Sequence, residues 1–277
     1  MKNGMNPLSA GRRAGLRRGA FLLPSLFTAG NLLCGYFAVL LAFRGTSRDF
    51  DDAARAIGLA ILFDSLDGRV ARMIGGDSEF GKQLDSLADV ISFGVAPALL
   101  AFVWGLHGLS ETDGLAKNVL LLGWVVTLGY VLCTAWRLAR FNIQGMMPGT
   151  SNRYFVGMPT PGAAAMIAAM VHAHKFPVDD LRVSIAWLAL VAVLAILMVS
   201  KLRFYGFKDL KWNVRQPPLV VVLLSLVAVL AYFYSEQVLL LAATLYTLSG
   251  PVLWIYRAAH LRAAGSRPAG VETTAGR

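Results

Sequence analysis

The sequence predicts an all-α integral membrane protein of about eight transmembrane helices, and three observations predict it. Hydrophobic residues make up 56% of the 277 positions and charged residues only 15%, against roughly 45–50% and about 25% in an average soluble domain. The apolar residues are gathered into eight runs, near 22–43, 53–68, 87–106, 119–136, 160–174, 183–200, 217–234 and 237–256. Most of these approach the roughly 20 residues that cross a hydrocarbon core as a helix. Finally, if the N-terminus is placed in the cytoplasm, 20 of the 26 Lys and Arg residues fall on the cytoplasmic side, which is the asymmetry membrane helices follow. A mean hydropathy of +0.58 excludes a disordered chain, and 27 glycines without a three-residue period exclude collagen.

Each run has its punctuation. Residues 1–20 read as a basic cytoplasmic segment in which Arg12, Arg13, Arg17 and Arg18 anchor the first span. They are not read as a signal peptide, because the following run is too long and lacks a small-x-small cleavage site. Residues 21–175 read as a catalytic transmembrane core, 176–258 as additional transmembrane helices and 259–277 as a disordered cytoplasmic tail. Gly157, Pro159 and Pro161 break the chain ahead of the fifth run and set its entry. Lys201, Arg203, Lys208, Lys211 and Arg215 read as surface charges facing anionic lipid. The net charge of +10 thus belongs to membrane topology, and no nucleic-acid partner is expected. Cys34 and Cys133 lie about a hundred residues apart inside apolar runs and read as free thiols. His172 and His174, two apart on a helix, point to different sides and make no zinc site.

The second and third runs carry carboxylates that a lipid-facing helix would exclude. At 100° per residue, Asp64, Asp67, Gly68 and Ala71 stand at about 0°, −60°, +40° and −20°, so they share one face. Gly81, Asp85 and Asp89 repeat at i, i+4 and i+8 as a second stripe, and a short turn lets the two stripes face each other. Each carboxylate in a bilayer costs about 2.5–3.5 kcal/mol, so four unpaired ones would cost on the order of 10 kcal/mol. Pairing with Arg69, Arg72 and Lys82 in a wet, charged hairpin is one way to offset this. Four acids aimed into one cleft are better suited to divalent cations, and oxygen ligands without Cys or His favour Mg²⁺ or Mn²⁺. Two such ions clamp a phosphate or pyrophosphate, which points to phosphoryl-type transfer. Gly68, Ala71 and Gly81 leave room for a ligand, or for close helix packing, beside the acids.

The pattern Asp64-x2-Asp67-Gly68-x2-Ala71-Arg72-x8-Gly81-x3-Asp85-x3-Asp89 resembles the signature of the CDP-alcohol phosphatidyltransferase family at every fixed position. Further stretches are similar to the serine-using branch: Leu23 to Gly35, Asp85 to Gly94, Arg137-Leu138-Ala139-Arg140-Phe141-Asn142, and Phe155-x-Gly157-x-Pro159-x-Pro161. The resemblance covers roughly residues 20–165. It implies the family fold and a homodimer, while the charge count and an even number of spans place both termini, and with them the site, on the cytoplasmic side of the inner (cell) membrane. The resemblance also implies that Asp64, Asp67 and Asp85 hold two divalent ions and that Asp89 is the general base with a possible metal contact. Asp64, Gly68, Ala71, Arg72 and Gly81 would contact the cytidine diphosphate. The implied reaction transfers the phosphatidyl group of CDP-diacylglycerol to the hydroxyl of L-serine and releases CMP. Arg137, Arg140 and Asn142 read either as cytoplasmic anchors or as an acceptor-binding fork for a carboxylate or phosphate. Glycerol 3-phosphate or an inositol phosphate remain alternative acceptors. A transporter whose acids line a pathway is the competing class, though such a protein would show broken helices in matching halves.

Overall fold

The computed structural model describes residues 7–74, 79–110, 114–144, 154–205 and 235–265, with side chains for 25–70, 79–110, 114–143, 155–204 and 235–256. Helix α1 (Pro7–Arg44) and α2 (Ser47–Ile74) form an antiparallel hairpin. The reversal takes two residues because Gly45 adopts φ +73°, which a side chain would resist. Thr46 then accepts a hydrogen bond from the Asp49 amide at 3.2 Å, starting α2. α3 (Glu79–Asp89) continues through a π-helical turn (Val90–Val95) into α4 (Ala96–Gly105). α5 (Gly114–Gln144) packs on α7 (Leu181–Val199), which Asp180 caps by accepting from the amides of Arg182 and Val183. Between them lies α6 (Thr160–His174), packed against α2 and against α8 (Ser235–Gly265).

Among the described residues, five stretches are long and apolar enough to cross a membrane: 25–44, 79–105, 114–143, 181–199 and 235–256. About eight were expected. α2 forms where expected but carries charge at both ends, and α6 has only 15 residues. The run at 217–234 lies outside the described residues, as do Lys208, Lys211 and Arg215. α8 is helical to Gly265, and the rest of the tail expected over 259–277 lies outside the described residues. An all-α reading also missed a ribbon of β1 (Tyr154–Val156) paired antiparallel with β2 (Arg203–Tyr205). The ribbon joins the connections after α5 and α7, whose backbone groups leave the helices and need partners.

Small residues let the helices approach: Ala38, Ala42, Ala53, Ala60, Ala96, Ala101, Ala163 and Ala164 are buried between them. Phe50, Ile57, Leu100, Tyr130 and Met198 fill the remaining volume without exposure. Large apolar side chains such as Phe37, Trp124, Leu132 and Trp136 face outward, an arrangement suited to lipid and unsuited to water. Cys34 and Cys133 are free thiols, half-buried where buried ones were expected. Away from the motif acids, His172 sits between Asp51, bonded to its Nδ1, and Ser235 Oγ, 3.0 Å from its Nε2. This buried clasp ties α2, α6 and α8 together. His174 turns away and meets the Met170 carbonyl, so the two histidines do diverge.

Candidate active site

The two acidic stripes face each other. Asp64 and Asp67 from α2 and Asp85 from α3 each offer a carboxylate oxygen, and the three oxygens lie within 4.8 Å of one another. They open onto a cleft of about 710 Å³ that Asp89, Gly68, Arg69, Arg137 and Asn142 also line. Asp89 stands outside the close trio among the described residues. One of the charge partners read from the sequence goes elsewhere: Lys82 pairs with Glu79 at 3.1 Å.

Helix α1 supplies the supports. Thr28 Oγ1 donates to Asp67 Oδ2 at 3.2 Å, and Asn31 Nδ2 donates to Asp89 Oδ1 at 3.0 Å. Asn31 is itself fully buried, and its carbonyl accepts from Ser92 Oγ at 2.9 Å. Ser92 reaches that carbonyl because Gly35 has no side chain: a Cβ there would lie 2.4 Å from Ser92 Oγ. The π turn places Ser92 toward α1 and presents the Phe93 carbonyl to Tyr130, whose hydroxyl donates at 3.2 Å. Wider helical turns of this kind occur often at functional sites. Thr28 and Asn31 were not singled out from sequence. Their signal was two polar residues one turn apart inside an apolar run.

Asp85 Oδ1 is buried and has no hydrogen-bond partner among the described residues. Three converging carboxylates with an unsatisfied oxygen fit a hard divalent cation, as the donor set alone suggested. Arg137 is also buried, 7% exposed. Its Nη1 donates to Thr160 Oγ1 at 3.2 Å, and it forms no ion pair among the described residues. Asn142 lines the cleft and donates to Ser86 Oγ at 2.9 Å. Arg140 departs from the expectation that grouped it with these two. It does not line the cleft; its Nη2 and Nη1 donate to the Val156 and Val199 carbonyls at 2.6 and 3.2 Å, because β1 and the end of α7 leave those carbonyls unpaired. Gly157, at φ +84°, brings its backbone against Met198 and Arg140, where a Cβ would lie 2.3 Å from the Met198 carbonyl oxygen. Pro159 and Thr160 then open α6 at the cleft, as the Gly-x-Pro-x-Pro spacing predicted. Gly68 faces open space: a Cβ there would meet nothing within 4 Å. Gly81 sits on α3 one turn before Asp85 and does not line the cleft. Ala71 and Arg72 are on α2, but their side chains lie outside the described set.

A family model described as CDP-alcohol phosphatidyltransferase matches residues 21–197. The chain belongs to the CDP-alcohol phosphatidyltransferase family. Among curated relatives, the CDP-diacylglycerol–serine O-phosphatidyltransferase of Helicobacter pylori is 35% identical over 238 residues, covering 85% of this chain and 92% of the relative. The protein of that name from Bacillus subtilis is 31% identical, covering 67% of this chain and 91% of the relative. That of Mycobacterium tuberculosis is 38% identical over 166 residues, covering 58% of this chain and 53% of the relative. The chain is therefore an enzyme of a phosphatidyl-transferring family, and the transporter reading falls. Tyr246 of α8 lies beyond the stretch matched by the family model, yet it lines the cleft.

Proposed function

We propose that the protein transfers the phosphatidyl group of CDP-diacylglycerol to the hydroxyl of L-serine, giving phosphatidylserine and CMP. The observation that carries the proposal is one cleft holding both the Asp64–Asp67–Asp85 trio and the buried cation of Arg137. The relatives' names supply the donor and acceptor. Asp64, Asp67 and Asp85 would hold two ions, Mg²⁺ or Mn²⁺, which when bound neutralise the pyrophosphate and stabilise the charge that develops on its oxygens. Gly68 leaves space for the nucleotide at the α2 backbone, with Ala71 and Arg72 of the same helix contributing further contacts.

Arg137 takes the serine carboxylate, and Asn142 lies within the same lining. Asp89 takes the hydroxyl proton: Asn31 fixes one carboxylate oxygen and so orients the other. The serine oxygen then bonds to the phosphorus that bears diacylglycerol, the bond from that phosphorus to the CMP oxygen breaks, and CMP leaves with the electron pair. We further propose that residues 21–175 form the catalytic core and 176–258 an added helical part. In this proposal both termini and the cleft face the cytoplasm at the inner membrane, and two chains form a dimer.

The direct test is CMP release by the purified protein from CDP-diacylglycerol, with a panel of acceptors. L-Serine is expected to support turnover, with glycerol 3-phosphate and inositol phosphate giving little. Activity with glycerol 3-phosphate alone would leave the family and remove the serine assignment.

A further inference from the structure

Helix α8 contributes to the cleft through one aromatic ring. The tyrosine ring packs on the start of α6: a Cβ at Gly162 would lie 2.7 Å from Tyr246 Cε1. Gly162 is two residues from Thr160, the hydroxyl that Arg137 engages. Arg137, Thr160, Gly162 and Tyr246 therefore form one continuous stretch of the lining, joined by direct contacts. The ring is also held from behind. Its centroid lies 6.0 Å from that of Phe204, and Phe204 is seated on the bare backbone of Gly250, one turn further along α8. Such a ring is a fixed wall.

We infer that Tyr246 is a specificity-determining residue for the acceptor, its ring limiting the space beside Arg137 to a molecule the size of serine. The inference rests on the proposed reading in which Arg137 receives the acceptor's carboxylate. An acceptor anchored there extends into a volume bounded by Thr160 and the tyrosine ring. Removing the ring leaves the anchor in place and removes the boundary, so the correct acceptor is held less well and larger hydroxy amino acids are admitted. The ring supplies the boundary, and phenylalanine at 246 retains it.

The test uses the full-length enzyme in phospholipid–detergent micelles, measuring CMP release with L-serine, L-threonine and L-homoserine. Tyr246→Ala is expected to raise KM for serine about tenfold and to shift kcat/KM toward threonine or homoserine by a similar factor, the scale of a mismatched pocket. In Tyr246→Ala, KM for CDP-diacylglycerol and the dependence on divalent cation should be unchanged, and Tyr246→Phe, which keeps the ring, should restore the preference for serine over threonine and homoserine. An unchanged serine KM in Tyr246→Ala would overturn the inference. So would an equal loss toward every acceptor, or a parallel rise in KM for CDP-diacylglycerol, since these describe a structural prop. If wild type used glycerol 3-phosphate and not serine, the acceptor assignment would fall instead. The wall would then be tested by the KM for glycerol 3-phosphate in the same two variants.

Discussion

Asp67 and Asp89 are held by different residues of α1, Thr28 and Asn31, and only Asp67 belongs to the close trio. Asp67→Asn replaces one member of the close trio with a poorer ligand for a hard cation. It should weaken binding of a CDP-lipid analogue, and of Mn²⁺, as well as turnover, as calorimetry would show. Asp89 lies outside the trio and is held by Asn31. Asp89→Asn should keep most of that binding while losing at least about 10²-fold in turnover, the lower range of general-base assistance. Loss of ligand binding as complete as in Asp67→Asn would make Asp89 chiefly a metal ligand. Gly68→Ala gives a third, separable outcome. The added methyl meets no protein atom, so thermal stability should hold while affinity for the CDP-lipid falls. The acids were legible in the sequence because charge is rare in apolar runs and the helical period puts them on two faces. Thr28 and Asn31 were not, since their partners lie 39 and 58 residues away and ordinary polar residues in a span raise little alarm. Arg140 was misgrouped because three residues along a helix do not reveal which carbonyls a neighbouring loop leaves unpaired.

At the scale of elements, the π turn and α1 act as one unit. The close approach at Gly35 lets Ser92 hold Asn31, and Asn31 holds Asp89. Gly35→Val should force the two helices apart and destabilise the protein by about 1–3 kcal/mol, the usual cost of overpacking. Turnover should fall more than CDP-lipid affinity, which paired unfolding and binding measurements would show. The first span was readable from its hydropathy, and the acidic faces of α2 and α3 from the helical period. The π turn was not, because Val90 to Val95 is apolar except for Ser92, and a lone serine in a span does not mark a wider turn. The β ribbon was equally hidden, since three-residue strands are shorter than any alternation that could announce them.

At the scale of the molecule, the basic residues and the clasp at His172 make separate predictions. In a chain with Cys34 and Cys133 replaced by alanine, single cysteines near Gly4 and Gly270 should resist impermeant thiol reagents in intact cells. A cysteine near Thr112 should label, and labelling of either terminus would reverse the proposed orientation. His172→Ala should lower thermal stability by about 1–3 kcal/mol, because a buried acceptor on Asp51 loses its partner. The site lies elsewhere, so KM for CDP-diacylglycerol should not change. That clasp also marks one end of α6, with Lys175 beside it bonded to Glu236. The other end, at Thr160, is the lining of the cleft. Fifteen residues rise about 22 Å, roughly 8 Å less than the hydrocarbon thickness of about 30 Å. In the proposed orientation, with its charged end at one surface, α6 stops short of the other, and the cleft is a notch whose floor lies beneath the ester linkages and headgroups. A diacylglycerol substrate of the proposed reaction then reaches the acids without leaving the bilayer. Lifting it clear would cost about 0.8 kcal/mol for every methylene withdrawn, and a helix too short to span the membrane spares the enzyme that extraction.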